Sequence, residues 1–160
     1  MAVDMFLKID DLKGESADSK HKGEIDVLSW SLAATQSATT HVGGGGGSGK
    51  VAVQDLSITK YVDSASPNLW LNCCTGKHFK EATLVIRKAG DSPLEYLKIK
   101  MTEVLVSSIS TAGTGADDRL TESVTLNFAK FNHVYTPQKA DGSGDAAIEA
   151  TFNIAQNVKE

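Results

Sequence analysis

Gly44 to Lys50 reads G-GGGS-G-K and matches the first seven positions of a phosphate-binding loop, whose backbone amides cradle phosphate while the lysine reaches it. The eighth position holds Val51, where a hydroxyl residue would meet magnesium. The lysine also leads into an alternating stretch, whereas that chemistry needs a helix N-terminus facing phosphate. The run is read as a plain glycine loop, and nucleotide binding is rejected. His21, His41, His78 and His133 share no ligand spacing with one another or with Cys73 and Cys74. Each histidine is expected in solvent or at a rim. Asp10-Asp11 and Asp117-Asp118 are paired carboxylates in turn-rich segments, where aspartate bonds its own backbone. No G-x-S-x-G elbow is present. The expectation is a protein that is no enzyme and carries no cofactor or metal.

Two further features invite a binding or assembly role. Along 29–35 the face formed by Ser29, Ser31, Ala33 and Thr35 is small and polar. Such a face is either a solvated outer surface or the lining of a pore in an assembly. The other feature is the pair of flexible loops, His41 to Gly49 and Ser110 to Asp118. Both are either idle surface or segments that order against a neighbouring subunit.

The elements that position these residues are mostly strands. Lys50 to Tyr61 alternates Val51, Val53, then Leu56, Ile58, and the phase slip at Gln54-Asp55 is read as a β-bulge. Glu24 to Gln36 is read as one long strand with a bulge or bend at Val27-Leu28. Short strands are expected at Met5 to Ile9 and Ile148 to Ile154. Ala82 to Lys88 and Leu94 to Ile109 form a hairpin, and Arg119 to Tyr135 is another long strand. One helix stands out at about 66–75. Ser66 is expected to cap it, Pro67 suits its first turn, and Gly76 suits the left-handed position that ends it. Leu69, Trp70 and Cys73 are expected on its buried side. The pattern predicts a mainly β protein: a compact antiparallel barrel of about seven or more strands with one short flanking helix.

With 160 residues, 41% hydrophobic and 22% charged, the chain reads as a single domain, 1–160, able to build its own core. A net charge of −4 gives no basic stripe for nucleic acid. No stretch approaches the roughly 18 apolar residues of a membrane helix, and no signal peptide is read at the N-terminus. Cys73 and Cys74 are adjacent, cannot staple distant parts of a fold, and are expected as thiols in a reducing compartment.

In order along almost the whole chain come Val3-Asp4-Met5-Phe6, Glu24-Ile25-Asp26-Val27, Val51 with Gln54-Asp55-Leu56-Ser57, Ile86-Arg87-Lys88-Ala89-Gly90, Val124-Thr125-Leu126-Asn127-Phe128 and Pro137-Gln138-Lys139-Ala140-Asp141-Gly142. With these motifs the chain resembles Hcp, the haemolysin-coregulated tube protein of bacterial type VI secretion. The resemblance implies a fold similar to phage tail-tube proteins and a homohexameric ring. Rings stack into a tube that a contractile sheath on a baseplate expels, tipped by a trimeric spike protein. It also implies small effector proteins carried in the lumen, synthesis in the bacterial cytoplasm and secretion to the medium or into target cells. No fused effector domain, nucleic-acid partner or membrane insertion is expected. On this reading Ser29, Ser31 and Ala33 are candidates for the lumen face. Gly43, Gly44, Gly45, Gly46, Gly47, Gly49, Gly90 and Asp91 are candidates for ring-stacking loops. The rival readings are a phage-type tail-tube protein, a monomeric β-barrel binding module and a small hydrolase on a barrel.

Overall fold

The computed structural model describes residues 3–38 and 48–160. The chain forms β1 (Val3–Ile9), β2 (Ile25–Asp26), β3 (Ser29–Ser31), β4 (Ala34–Ala38), β5 (Ser48–Val53), β6 (Leu56–Tyr61), α1 (Ser66–Thr75), β7 (His78–Lys88), β8 (Leu94–Ala112), β9 (Thr121–Tyr135), β10 (Ile148–Asn153) and β11 (Val158–Lys159). All pairings are antiparallel. One sheet runs β11-β10-β9-β8-β7-β1-β2, with β6 pairing both β9 and β3, and β4-β5 forms a separate two-stranded sheet.

The segment 25–31 brings the large sheet round on itself. Ile25 and Asp26 pair with β1, and Val27 donates its N–H to the Met5 carbonyl at 3.0 Å. One residue later Leu28 donates to Thr59 at 2.7 Å, and Ser29 to Ser31 pair with β6. Hydrogen-bonded neighbours therefore run from β6 through β9, β8, β7 and β1 to a segment that returns to β6. The sequence suggested one continuous strand with a bulge here. The phase slip is instead a change of partner strand, so 24–36 becomes three short elements. The slip at Gln54-Asp55 has the same cause: among the described residues β5 pairs with β4 alone, and the chain then turns into the large sheet as β6.

The interior is apolar and nearly continuous, built from residues such as Leu7, Leu56, Leu84, Ile99, Met101 and Leu126. In β8 the inward residues change from Ile99 and Met101 to Val104 and Val106. In β9 they change from Phe128 to Phe131 across the same point, while the register between the two strands holds. Glu103 sits at this flip with φ 56, a left-handed conformation that re-aims the strand and bends both strands together.

The helix α1 lies against β8. Pro67 opens it and Gly76 ends it in the left-handed conformation (φ 70), donating its N–H to the Asn72 carbonyl at 3.0 Å. Two expectations are corrected here. Ser66 is not the cap: the N-cap residue is Ala65, whose side chain cannot cap, and the Ser66 hydroxyl is engaged by a buried ion pair. The buried side of the helix is Ser66, Leu69 and Asn72, while Trp70 is 44% exposed and bonds Thr111 through its indole N–H at 3.0 Å. Cys73 packs against the core edge and Cys74 is exposed, both as free thiols.

Candidate functional site

The small polar face is four strands wide. Ser31 pairs with Ser57, Ser57 with Thr125, and Thr125 with Ser108. In the adjacent row Ser29 pairs with Thr59, Thr59 with Ser123, and Ser123 with Ser110. Every position of both rows carries a hydroxyl, and all are exposed or half-buried. Between the rows the intervening residues Trp30, Ile58, Val124 and Ile109 pair with one another and point inward to the core. This is the period-two alternation of a sheet with one wet face. The sequence signal was a hydroxyl–apolar–hydroxyl triplet on each strand: Ser29-Trp30-Ser31, Ser57-Ile58-Thr59, Ser108-Ile109-Ser110 and Ser123-Val124-Thr125. Only the first stands out in the sequence, because the alignment of the others depends on strand register.

At the margin of this face Asp55 accepts from the Ser107 hydroxyl at 2.6 Å and from the Asn127 amide at 2.9 Å. The Thr125 hydroxyl lies 2.7 Å from that of Ser107 and 2.6 Å from that of Ser108. Hydroxyls of this kind donate and accept, carry no charge at neutral pH and project little beyond the backbone. The surface is thus wettable and shallow. Ser29 and Ser31 lie in the rows, but Ala33 does not. It sits in the link to β4, where its carbonyl accepts from Gln54 at 2.8 Å, and it borders a small apolar hollow with Trp30, Leu32 and Val53.

Behind the face an ion pair locks the sheet to the helix. Lys60 and Glu122 are cross-strand partners, and neither side chain is exposed to solvent. The Lys60 ammonium donates to Glu122 Oε1 at 2.5 Å and to Ser66 Oγ at 3.2 Å, and lies 2.9 Å from Asp63 Oδ1. Ser66 Oγ donates to the same Glu122 oxygen at 2.5 Å, and Thr111 donates to Oε2 at 3.2 Å. Since Trp70 bonds Thr111, the helix is held to this cluster at two points.

The candidate loops stand differently. Gly43, Gly44, Gly45, Gly46 and Gly47 lie outside the described residues. Gly49, second in β5, lies so close to Ser37 that a Cβ on it would collide with the Ser37 hydroxyl. That approach gives Gly49 a reason internal to the hairpin. Lys50 lies in the β5 strand, not at a helix start. Gly90 has φ 147, and with Asp91 it borders a shallow hollow of about 450 Å³ shared with Gln138, Asp141 and Gly144. Because Lys88 pairs with Leu94 and Tyr135 pairs with Leu97 and Ile148, the 89–93 turn and the 136–147 loop share one end of the sheet.

The histidine expectation is corrected at one position. His21 is 7% exposed, with Nδ1 2.8 Å from Glu24 Oε2 and Nε2 2.6 Å from Glu95 Oε1. The spacing to Glu24 was visible in the sequence, but Glu95 lies 74 positions away and is brought in by the fold. Among the described residues no group of three His, Cys, Asp or Glu side chains is placed to hold a metal ion, and no helix is long and apolar enough to cross a membrane.

Comparison with known proteins bears on the whole chain. A family model described as type VI secretion system effector, Hcp, matches residues 6–135. The protein Hcp1 of Pseudomonas aeruginosa is 58% identical over 161 residues, spanning 99% of both chains. A solved type six secretion system protein superposes with a TM-score of 0.94 at 31% identity, covering 99% of this chain and 100% of that one. Hcp1 of Salmonella typhimurium superposes with a TM-score of 0.84 at 41% identity, over 100% of each chain.

Proposed function

Because the chain belongs to the Hcp family, secreted structural proteins of type VI secretion that self-associate into tubes and are not enzymes, we propose that six copies close into a ring with the hydroxyl rows facing the central channel. The rings stack into a tube. A contractile sheath on a baseplate drives that tube from the cell behind a trimeric spike, into the medium or a target cell. The protein is made in the cytoplasm, and small effector proteins travel in the lumen, held by the face of Ser29, Ser31 and their row partners, with Ala33 at its border.

The observation that carries this reading is the pair of four-residue hydroxyl rows. A channel wall must be wettable and low, so that cargo fits and slides without sticking to exposed apolar surface. Two rows of short hydroxyls over an apolar underside supply such a wall. Closed rings of heterologous contacts also occupy edges that a lone sheet would leave unpaired. The stacking contacts are assigned to the 89–93 turn, with Gly90 and Asp91, and to the glycine-rich sequence of Gly43, Gly44, Gly45, Gly46, Gly47 and Gly49.

Ser31→Gln and Ser57→Gln test the wall, because these residues are paired in one row. Both are expected to leave rings intact by electron microscopy and to reduce retention of a co-expressed effector to a similar degree. Undiminished retention by both variants in intact rings removes the rows from the cargo surface. For stacking, Asp91→Lys is expected to leave ring mass unchanged and to shorten tubes; tubes of unaltered length count against the turn.

A further inference from the structure

Beyond the two hydroxyl rows the same face carries one further row, at the start of β9. Thr121 pairs there with Tyr61 on one side and Ala112 on the other. By the alternation of β6 and β9, Tyr61 and Thr121 share the face of Thr59 and Ser123, while Lys60 and Glu122 point inward and answer each other. Over the Tyr61 ring lies the guanidinium of Arg119, 3.7 Å from the ring centre. At the opposite end of the rows stands Asp55, fastened by Ser107 and Asn127. From Asn127 to Thr121 is about 20 Å along β9, at roughly 3.4 Å per residue. At physiological salt the two charged ends therefore act separately.

The chain has two arginines, and they are held in opposite ways. Arg87 is buried and its donors are taken by Asp4 and Asp18. Arg119 is exposed and, among the described residues, meets no carboxylate within ion-pair distance. Of the two acids before it, Asp117 turns to its own loop and accepts from the Thr114 hydroxyl at 3.1 Å. Stacking on an aromatic ring fixes the plane of a guanidinium and leaves its N–H edge open. That edge matches a carboxylate, which it grips with two parallel hydrogen bonds. The Thr121 hydroxyl adds a short donor on the face of Tyr61.

We propose that Arg119, laid on Tyr61, captures a carboxylate on the protein carried in the channel, so that the wall selects cargo with an acidic patch. This rests on the reading of the hydroxyl rows as the channel wall. Arg119 is the specificity-determining residue, and Tyr61 positions it. The rows themselves donate and accept alike, so they cannot tell an acidic cargo from a basic one. A cation at one end can. Asp55 repels the same cargo at the far end and so directs it towards Arg119. Asp118, next to Arg119 in the chain, limits the attraction, because a nearby carboxylate competes for the cation. A ring of six sets six such guanidinium groups at one level of the channel, which multiplies a weak single contact.

Fluorescence anisotropy on the assembled protein tests this, with dye-labelled Ser-Gly peptides bearing glutamate, glutamine or lysine at the same positions. The glutamate peptide is expected to bind roughly two- to fivefold tighter than the glutamine one, the range of an exposed ion pair. High salt should shrink that margin. Arg119→Gln should abolish it, Arg119→Glu should turn it in favour of lysine, and Asp118→Asn should widen it. Tyr61→Leu should reduce it with the charge still present. Ser31→Gln and Ser57→Gln should weaken all the peptides alike and keep their order. A parent protein with no preference for glutamate overturns the proposal. Binding that needs the serines but ignores Arg119 overturns the proposal alone; binding that ignores the serines overturns the wall reading and the proposal with it.

Discussion

Replacing Lys60 with methionine removes the buried cation that Glu122 and Asp63 share and keeps most of its volume. In the parent protein the Glu122 carboxylate meets the ammonium at 2.5 Å, with support from Ser66 and Thr111. In Lys60→Met the carboxylate keeps only those two hydroxyl donors and has no solvent to turn to, since its side chain has no exposed surface. Breaking a buried pair from one side costs about 3–5 kcal/mol. At roughly 2–4 °C per kcal/mol for a chain of this size, the expected loss is about 6–20 °C in Tm. The assay is thermal and urea unfolding followed by far-ultraviolet circular dichroism, at one fixed protein concentration because assembly adds its own stabilisation. Lys60→Met/Glu122→Leu removes both fully buried charges, leaves Asp63 with its partial exposure and the Ala65 N–H it accepts, and should recover most of the loss, as apolar replacements of buried pairs often do. A cost under about 1 kcal/mol for Lys60→Met, or a double variant as unstable as the single one, would refute the view of this cluster as an ionic lock on the helix.

On α1, Leu69 is fully buried and Trp70 nearly half exposed. Leu69→Ala should cost about 2–5 kcal/mol in urea unfolding, and Trp70→Ala clearly less; equal losses would contradict the face assigned to the helix. Asp18 titrates at about 2, held down first by its hydrogen bonds with Arg87. A lowered folded-state value means that this contact stabilises the fold above the usual aspartate range and is lost only as pH falls towards 2. Carboxyl chemical shifts of Asp18 should stay flat from pH 7 to 4, and a midpoint near 4 would break the argument.

The residues themselves show why some of this was legible and some was not. The strand content, the 78–112 hairpin and the place of the helix follow from alternation, turn residues, Pro67 and Gly76, which act locally. A phase slip reads the same whether a strand bulges or changes partners, so sequence alone makes 24–36 and 50–61 bulged strands. Which partner lies across decides the matter, and that is a property of the whole sheet. Ser66 has the composition of a cap, but Lys60 and Glu122 compete for its hydroxyl from 6 and 56 positions away. The hydroxyl wall was visible at Ser29 and Ser31, and three further triplets waited on the register that aligns them. His21 carried no motif, since its second carboxylate comes from a distant strand.

The central claim is that this chain works as a closed ring whose hydroxyl rows line a channel. Light scattering on a sizing column, with the peak imaged by negative stain, tests it most directly. The account predicts a mass near six times the 17.0 kDa of one chain and six-fold particles with a stained central hole. A monomer persisting across the micromolar range, with no annular particles, would contradict it.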